Sequence, residues 1–127
     1  MNKVFEIGRL TRNPEVRYTT SGKAVCTFTI AVDDGFGENK KAYFFPVVIW
    51  GKGAEVCGNS LTKGSKVAVV GKLTTRSYEN KDGKKIYVTE IVADGYDGVQ
   101  FLDAKKPQNN GEEVEGYNGM DDQEIPF

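Results

Sequence analysis

The chain has no histidine, which removes the commonest general base and the commonest metal ligand. It has two cysteines, Cys26 and Cys57, far apart and with no CxxC pattern. Reduced, buried thiols are expected from that spacing, and no zinc site. No apolar run approaches the ~20 residues of a membrane span, so no membrane association is expected. The opening stretch MNKVFEIGRL lacks a long apolar segment, so no signal peptide is expected either. Neither GxxxxGK[ST] nor GxGxxG occurs, and TKGSK is too short for a phosphate-binding loop. Serine and threonine are plentiful, but no imidazole is available to activate one. Asp33 and Asp34 are adjacent carboxylates, and neighbours on a strand point to opposite faces. No catalytic residue, cofactor or resident metal follows from these patterns.

Charge is divided unevenly. Residues 1–103 carry fifteen Lys and Arg against twelve Asp and Glu, and residues 104–127 carry two against six. A mildly basic body with an acidic tail suggests an anionic partner for the body. After Asp103, AKKPQNNGEEVEGYNG is rich in Asn, Gly, Glu and Gln and has little apolar surface to bury. A disordered linker over 104–119 is expected there, followed by a tip at 120–127. That tip reads MDDQEIPF, acids followed by Ile125, Pro126 and Phe127. Apolar residues gain nothing on a frayed end, so their presence asks for a docking partner.

The first hundred residues read as strands. AVCTFTIAV alternates, with Ala24, Cys26, Phe28, Ile30 and Val32 on one side. KVAVVGKLTTRSY alternates as well, with Val67, Val69, Gly71, Leu73 and Thr75 opposite Ala68, Val70, Lys72, Thr74, Arg76 and Tyr78. KVFEIGRL, YFFPVVIW and KKIYVTEIVAD are further strand candidates, and Asp82-Gly83 marks a hairpin before the last of them. GAEVCGNSL places Ala54, Cys57 and Leu61 on one helical face, although Gly58 weakens the helix. Three strands, a short helix and two strands predict an all-β, five-stranded barrel of the oligonucleotide/oligosaccharide-binding (OB) type, spanning 1–103.

Strand YFFPVVIW has two apolar faces. Tyr43, Phe45, Val47 and Ile49 share one, and Phe44, Pro46, Val48 and Trp50 the other. A barrel core uses only one, so the second meets a ligand or another surface. Lys52 follows Trp50, and Lys72, Arg76 and Tyr78 lie on the outer face of the next long strand. Lys3, Arg9 and Arg17 lie on or near the opening strands, and Phe36 sits in the Gly-rich stretch DDGFGENKK. Aromatic rings interleaved with cations suit single-stranded nucleic acid, because unpaired bases stack on the rings while the cations meet phosphates. Such a surface accepts DNA and RNA alike. Pro46 cannot donate to a ladder, so an edge or a bulge is expected there.

Several stretches together resemble the bacterial-type single-stranded DNA-binding protein family: PEVRYTTSGKAVCTFTIAV, VVIWGKGAEVCGNSLTKGSKVAVVGKL, TTRSY and the terminal DDQEIPF. The resemblance covers nearly all of 1–103 and the last eight residues. It implies an OB-fold subunit that assembles into a homo-oligomer, a tetramer in preference to a dimer, and wraps single-stranded DNA during replication, recombination and repair. It implies stacking roles for Phe36, Phe44, Trp50 and Tyr78, and phosphate contacts for Lys3, Arg17, Lys52, Lys63 and Arg76. It implies that Asp121, Asp122, Glu124, Ile125, Pro126 and Phe127 dock on replication and repair proteins. A cytoplasmic, nucleoid-associated location in a bacterial or phage-infected cell goes with it. The chain departs from the family where Thr74 and Ser77 replace frequent cations, and in its single tryptophan, short linker and Asp-Asp-Gln-Glu tip. A phage-encoded or accessory version fits those departures. The rival reading is an OB-fold adaptor whose aromatic face packs on protein and has no affinity for single strands. A metal-dependent nuclease built on Asp33 and Asp34 is a third.

Overall fold

The computed structural model describes residues 1–103; the expected linker and acidic tip lie outside the described residues. Seven strands and one helix follow in the order β1 (Val4–Leu10), β2 (Glu15–Tyr18), β3 (Ala24–Asp34), β4 (Lys41–Trp50), α1 (Lys52–Ser60), β5 (Lys66–Glu79), β6 (Lys85–Ala93) and β7 (Val99–Phe101). Five of the strands close a ring. β1 pairs β3, β3 pairs β4, β4 pairs β6, β6 pairs β5, and β5 returns to β1. All these pairings are antiparallel except β4–β6, which is parallel. The helix stands between the third and fourth strands of the ring, as the OB order requires.

The two extra strands are short additions. β2 runs along β3 from Glu15↔Thr27 to Tyr18↔Ala24, and β7 pairs β5 at Val67, Ala68 and Val69. At four and three residues they are too short to show alternation, so the sequence pattern missed both.

The core follows the alternation. Cys26, Phe28 and Ile30 of β3, Val47 and Ile49 of β4, Val67 and Val69 of β5, and Ile91 and Ala93 of β6 are buried together. Helix α1 closes one end with Ala54 and Cys57, and Leu61 follows as its C-cap. Gly58 has a packing reason: a Cβ there would lie 2.2 Å from Cγ2 of Val16 on β2. The helix gives up propensity so that β2 can approach.

Two hairpins run past the barrel rim, and parity fails there. Tyr43 and Leu73 share strand faces with buried residues, yet they are 46% and 45% exposed, because their positions lie beyond the packed core. Pro46 sits at an edge, not a bulge. The β3–β4 register is unbroken from Val25↔Trp50 to Asp34↔Lys41. Thr29, opposite Pro46, turns its carbonyl away from β4 to accept from Thr11 N at 2.9 Å. The proline nitrogen therefore faces the β6 side, where pairing extends only over Val47 and Val48. Among the described residues, no helix is long and apolar enough to cross a membrane.

Candidate nucleic-acid interface

Directly paired residues share a sheet face, so the registers place the outer side chains in rows. Arg17 pairs Val25, and Val25 pairs Trp50. Glu15, Thr27, Val48, Val92 and Lys72 form the next row across β2, β3, β4, β6 and β5. Phe44 faces out opposite Ala31 near the far end of β4. Arg76 and Tyr78 face out on β5, opposite Val88 and Ile86. An open groove of about 600 Å³ lies over this surface, between the loop Arg12–Asn13–Pro14 and the strands carrying Thr27, Pro46, Val48 and Arg76.

The rings on this face are available. Phe44 is 60% exposed, Trp50 41% and Tyr78 48%. Each has a cation or an open side. Lys23 Nζ stands 5.4 Å from the Trp50 ring centroid, and Arg76 Cζ stands 5.9 Å from that of Tyr78. Arg76 donates Nε to Oε1 of the buried Glu90 at 2.6 Å. Arg17 is paired with Glu15 at 3.0 Å, in a solvent-exposed bridge that phosphate can displace.

The structure thus brings Arg17, Phe44, Trp50, Lys72, Arg76 and Tyr78 onto one outer surface. The other expected residues are peripheral to it. Lys52 opens α1 two residues after Trp50, exposed beside it in the chain. Lys63 is exposed, and its backbone N donates to Asn13 Oδ1 at 2.8 Å, tying its loop to the rim of the groove. Lys3 precedes β1 and pairs with Asp94. Phe36, 87% exposed, stands in the turn between β3 and β4, just before a single 3-10 turn at Gly37–Asn39.

Some members of the surface were not legible beforehand. Lys23 belongs to the Thr-Ser-Gly-Lys turn, where a cation reads as solvated until the turn is seen to fold over Trp50. Glu90 gave no signal, because an acid in a strand pattern reads as exposed. Tyr87 is 72% exposed with Lys85 Nζ at 5.9 Å, and it pairs Ser77 on the other face of the β5–β6 hairpin.

Chemistry other than binding finds little here. Asp33 and Asp34 point to opposite sides of β3, and Asp33 pairs with Lys40 at 3.3 Å. Among the described residues, no three His, Cys, Asp or Glu side chains converge as a metal cluster would. Burial raises the Cys26 thiol to about 11 and the Cys57 thiol to about 12. Both are therefore inert core groups.

Comparison with known proteins shows the family of the chain. A single-stranded DNA-binding protein of Clostridium tetani is 44% identical over 130 residues, covering 100% of this chain and 86% of the relative. One from Bacillus cereus is 48% identical over 119 residues, covering 91% of this chain and 66% of the relative. Among solved structures, a Plasmodium falciparum SSB complex with ssDNA superposes with a TM-score of 0.72 at 26% identity, covering 81% of this chain and 96% of that one. The single-strand binding protein family matches residues 1–102. The chain belongs to that family.

Proposed function

We propose that this protein binds single-stranded DNA with little regard to sequence, and that it protects the strand during replication, recombination and repair. The observation that carries the reading is the pair of exposed rings on one face of β4, Phe44 and Trp50, flanked by Arg17, Lys23 and Arg76. Six residues of strand separate the two rings by about 20 Å, room for several nucleotides. Bases stack on the rings and lysines and arginines track the phosphates. Duplex DNA hides the base faces, so it binds poorly. The single-stranded DNA-binding proteins among the relatives, and the DNA in the Plasmodium complex, support the same reading.

Two further parts belong to the proposal. Phe5 and Ile7, 70% and 54% exposed, lie outward on β1 opposite Val70 and Ala68 of β5. That apolar stripe fits a second copy of the chain, and it supports a homo-oligomer, with a tetramer the favoured state. The acids of the tip and the ring and carboxylate of Phe127 fit an apolar pocket with a basic rim on partner proteins. The test of the central reading is the anisotropy of labelled oligo-dT titrated with protein, against duplex of equal length. Tight binding of the single strand alone supports it; equal binding of both, or of neither, removes it.

A further inference from the structure

Glu90 is a carboxylate only 7% exposed on the floor of a groove assigned to a polyanion. A charge there opposes phosphate and costs desolvation, so its retention needs a reason. Its Oε1 accepts from Arg76 Nε at 2.6 Å, while Oε2 has no protein partner among the described residues. Arg76 lines the same groove, its side chain 58% exposed. Its two Nη groups likewise have no protein hydrogen-bond partner among the described residues. The groove therefore contains a hydrogen-bond acceptor beside donors, held in fixed relation by one short bond.

Every nucleobase carries the complement of that pair on its Watson–Crick edge. Thymine offers O4 beside N3–H, cytosine N3 beside its amine, adenine N1 beside its amine, and guanine O6 beside N1–H. In a duplex those edges are occupied by the partner base. We propose that Glu90 and Arg76 form an edge-reading site that takes the unpaired Watson–Crick edge of any base. Arg76 Nη donates to the base acceptor, and Glu90 Oε2 accepts from the base donor. Such a site tolerates sequence and still rejects paired bases, which stacking on Phe44 and Trp50 does less directly. Glu90 is then a specificity-determining residue, with Thr27, Thr29 and Val48 lining the same groove.

This inference rests on the proposed single-strand binding, and its test separates the two. The probes are oligo-dT and the same oligomer built from N3-methylthymidine, which keeps the ring, the stacking face, the phosphates and both carbonyls but has no N3–H. The unaltered protein is expected to bind the methylated oligomer about tenfold more weakly, the scale of a lost hydrogen bond to a charged group. In Glu90→Gln the amide oxygen stays on Arg76 Nε and the NH2 turns to the groove. The methylation penalty is then expected to fall below twofold. Equal binding of the two oligomers by the unaltered protein, a comparison that needs no variant, overturns the edge-reading site and leaves single-strand binding intact. A penalty that persists undiminished in a folded Glu90→Gln protein also overturns it, because methylation would then be acting through its bulk and not through a lost hydrogen bond to Glu90. No binding of either oligomer removes the function and the inference together.

Discussion

Lys23 and Trp50 form a stacked pair, the Nζ of Lys23 lying 5.4 Å from the centre of the indole ring. They meet because the turn after β2 folds back to where β3 begins, and β4 ends beside that point: Gly51 N donates to Ala24 O at 2.8 Å. In the proposed complex, a base approaching that face of Trp50 is expected to displace the ammonium and free it to reach a phosphate. Lys23→Ala is expected to weaken oligo-dT binding by less than about tenfold and to reduce the salt slope by about 0.7, the share of one phosphate contact on a single strand. Affinities measured across a salt series check this. An unchanged slope removes Lys23 from the interface.

The rings themselves carry more. Trp50→Ala is expected to cost about 1–3 kcal/mol of binding, and Phe44→Ala a similar amount, the range for one stacked base. Phe44 is 60% and Trp50 41% exposed, and neither belongs to the buried core, so thermal unfolding should show stability losses of less than about 2 kcal/mol. A Trp50→Ala protein that unfolds before DNA is added would make Trp50 a core residue.

Much of this surface could be read before the structure, for a definite reason. In a barrel wall strand alternation maps directly onto inside and outside, so Phe44 and Trp50 separate from Val47 and Ile49 by parity alone. The rule breaks where a strand leaves the wall. Tyr43 and Leu73 keep the parity of core residues and are exposed on hairpin arms. Contacts between distant segments were invisible for a different reason. Glu90 against Arg76 and Lys23 over Trp50 depend on cross-strand register and on the path of a turn, which no local pattern encodes. Gly58 looked like a flaw in the helix, and its purpose lies in Val16 on another element.

The two thiols predict a pH dependence. Cys26 and Cys57 have an ordinary value of 9.0, and burial raises them to about 11 and about 12, with Cys26 adding to the shift of Cys57. Folding thus favours the protonated thiols. Below pH 9 both states hold these protons and the thiols add no pH dependence. Above it the unfolded chain loses them first, so the stability they contribute declines as pH rises through 9 towards 11 and 12. Urea midpoints at pH 8 and pH 10.5 should fall further in the native protein than in a Cys26→Ala/Cys57→Ala variant. Equal declines would mean the thiols are not the source.

The tip is expected to act separately from the barrel. Removing Phe127 should leave oligo-dT affinity within about twofold, since no stacking ring of the barrel is touched. The same truncation should abolish capture of replication and repair proteins onto protein-coated single strands, because it removes the ring proposed to enter the partner's pocket. Co-sedimentation with such partners, with and without the last residue, gives the comparison. Unaltered capture contradicts the docking role.

The most direct measurement uses the single tryptophan, Trp50, which lies on the proposed stacking surface. Its fluorescence is titrated with oligo-dT and with duplex of equal length, at low and high salt. Quenching by the single strand alone, weakened as salt rises, is the predicted result. Silence towards both, with no accompanying change in sedimentation, would contradict single-strand binding and turn the aromatic face into a docking surface for protein.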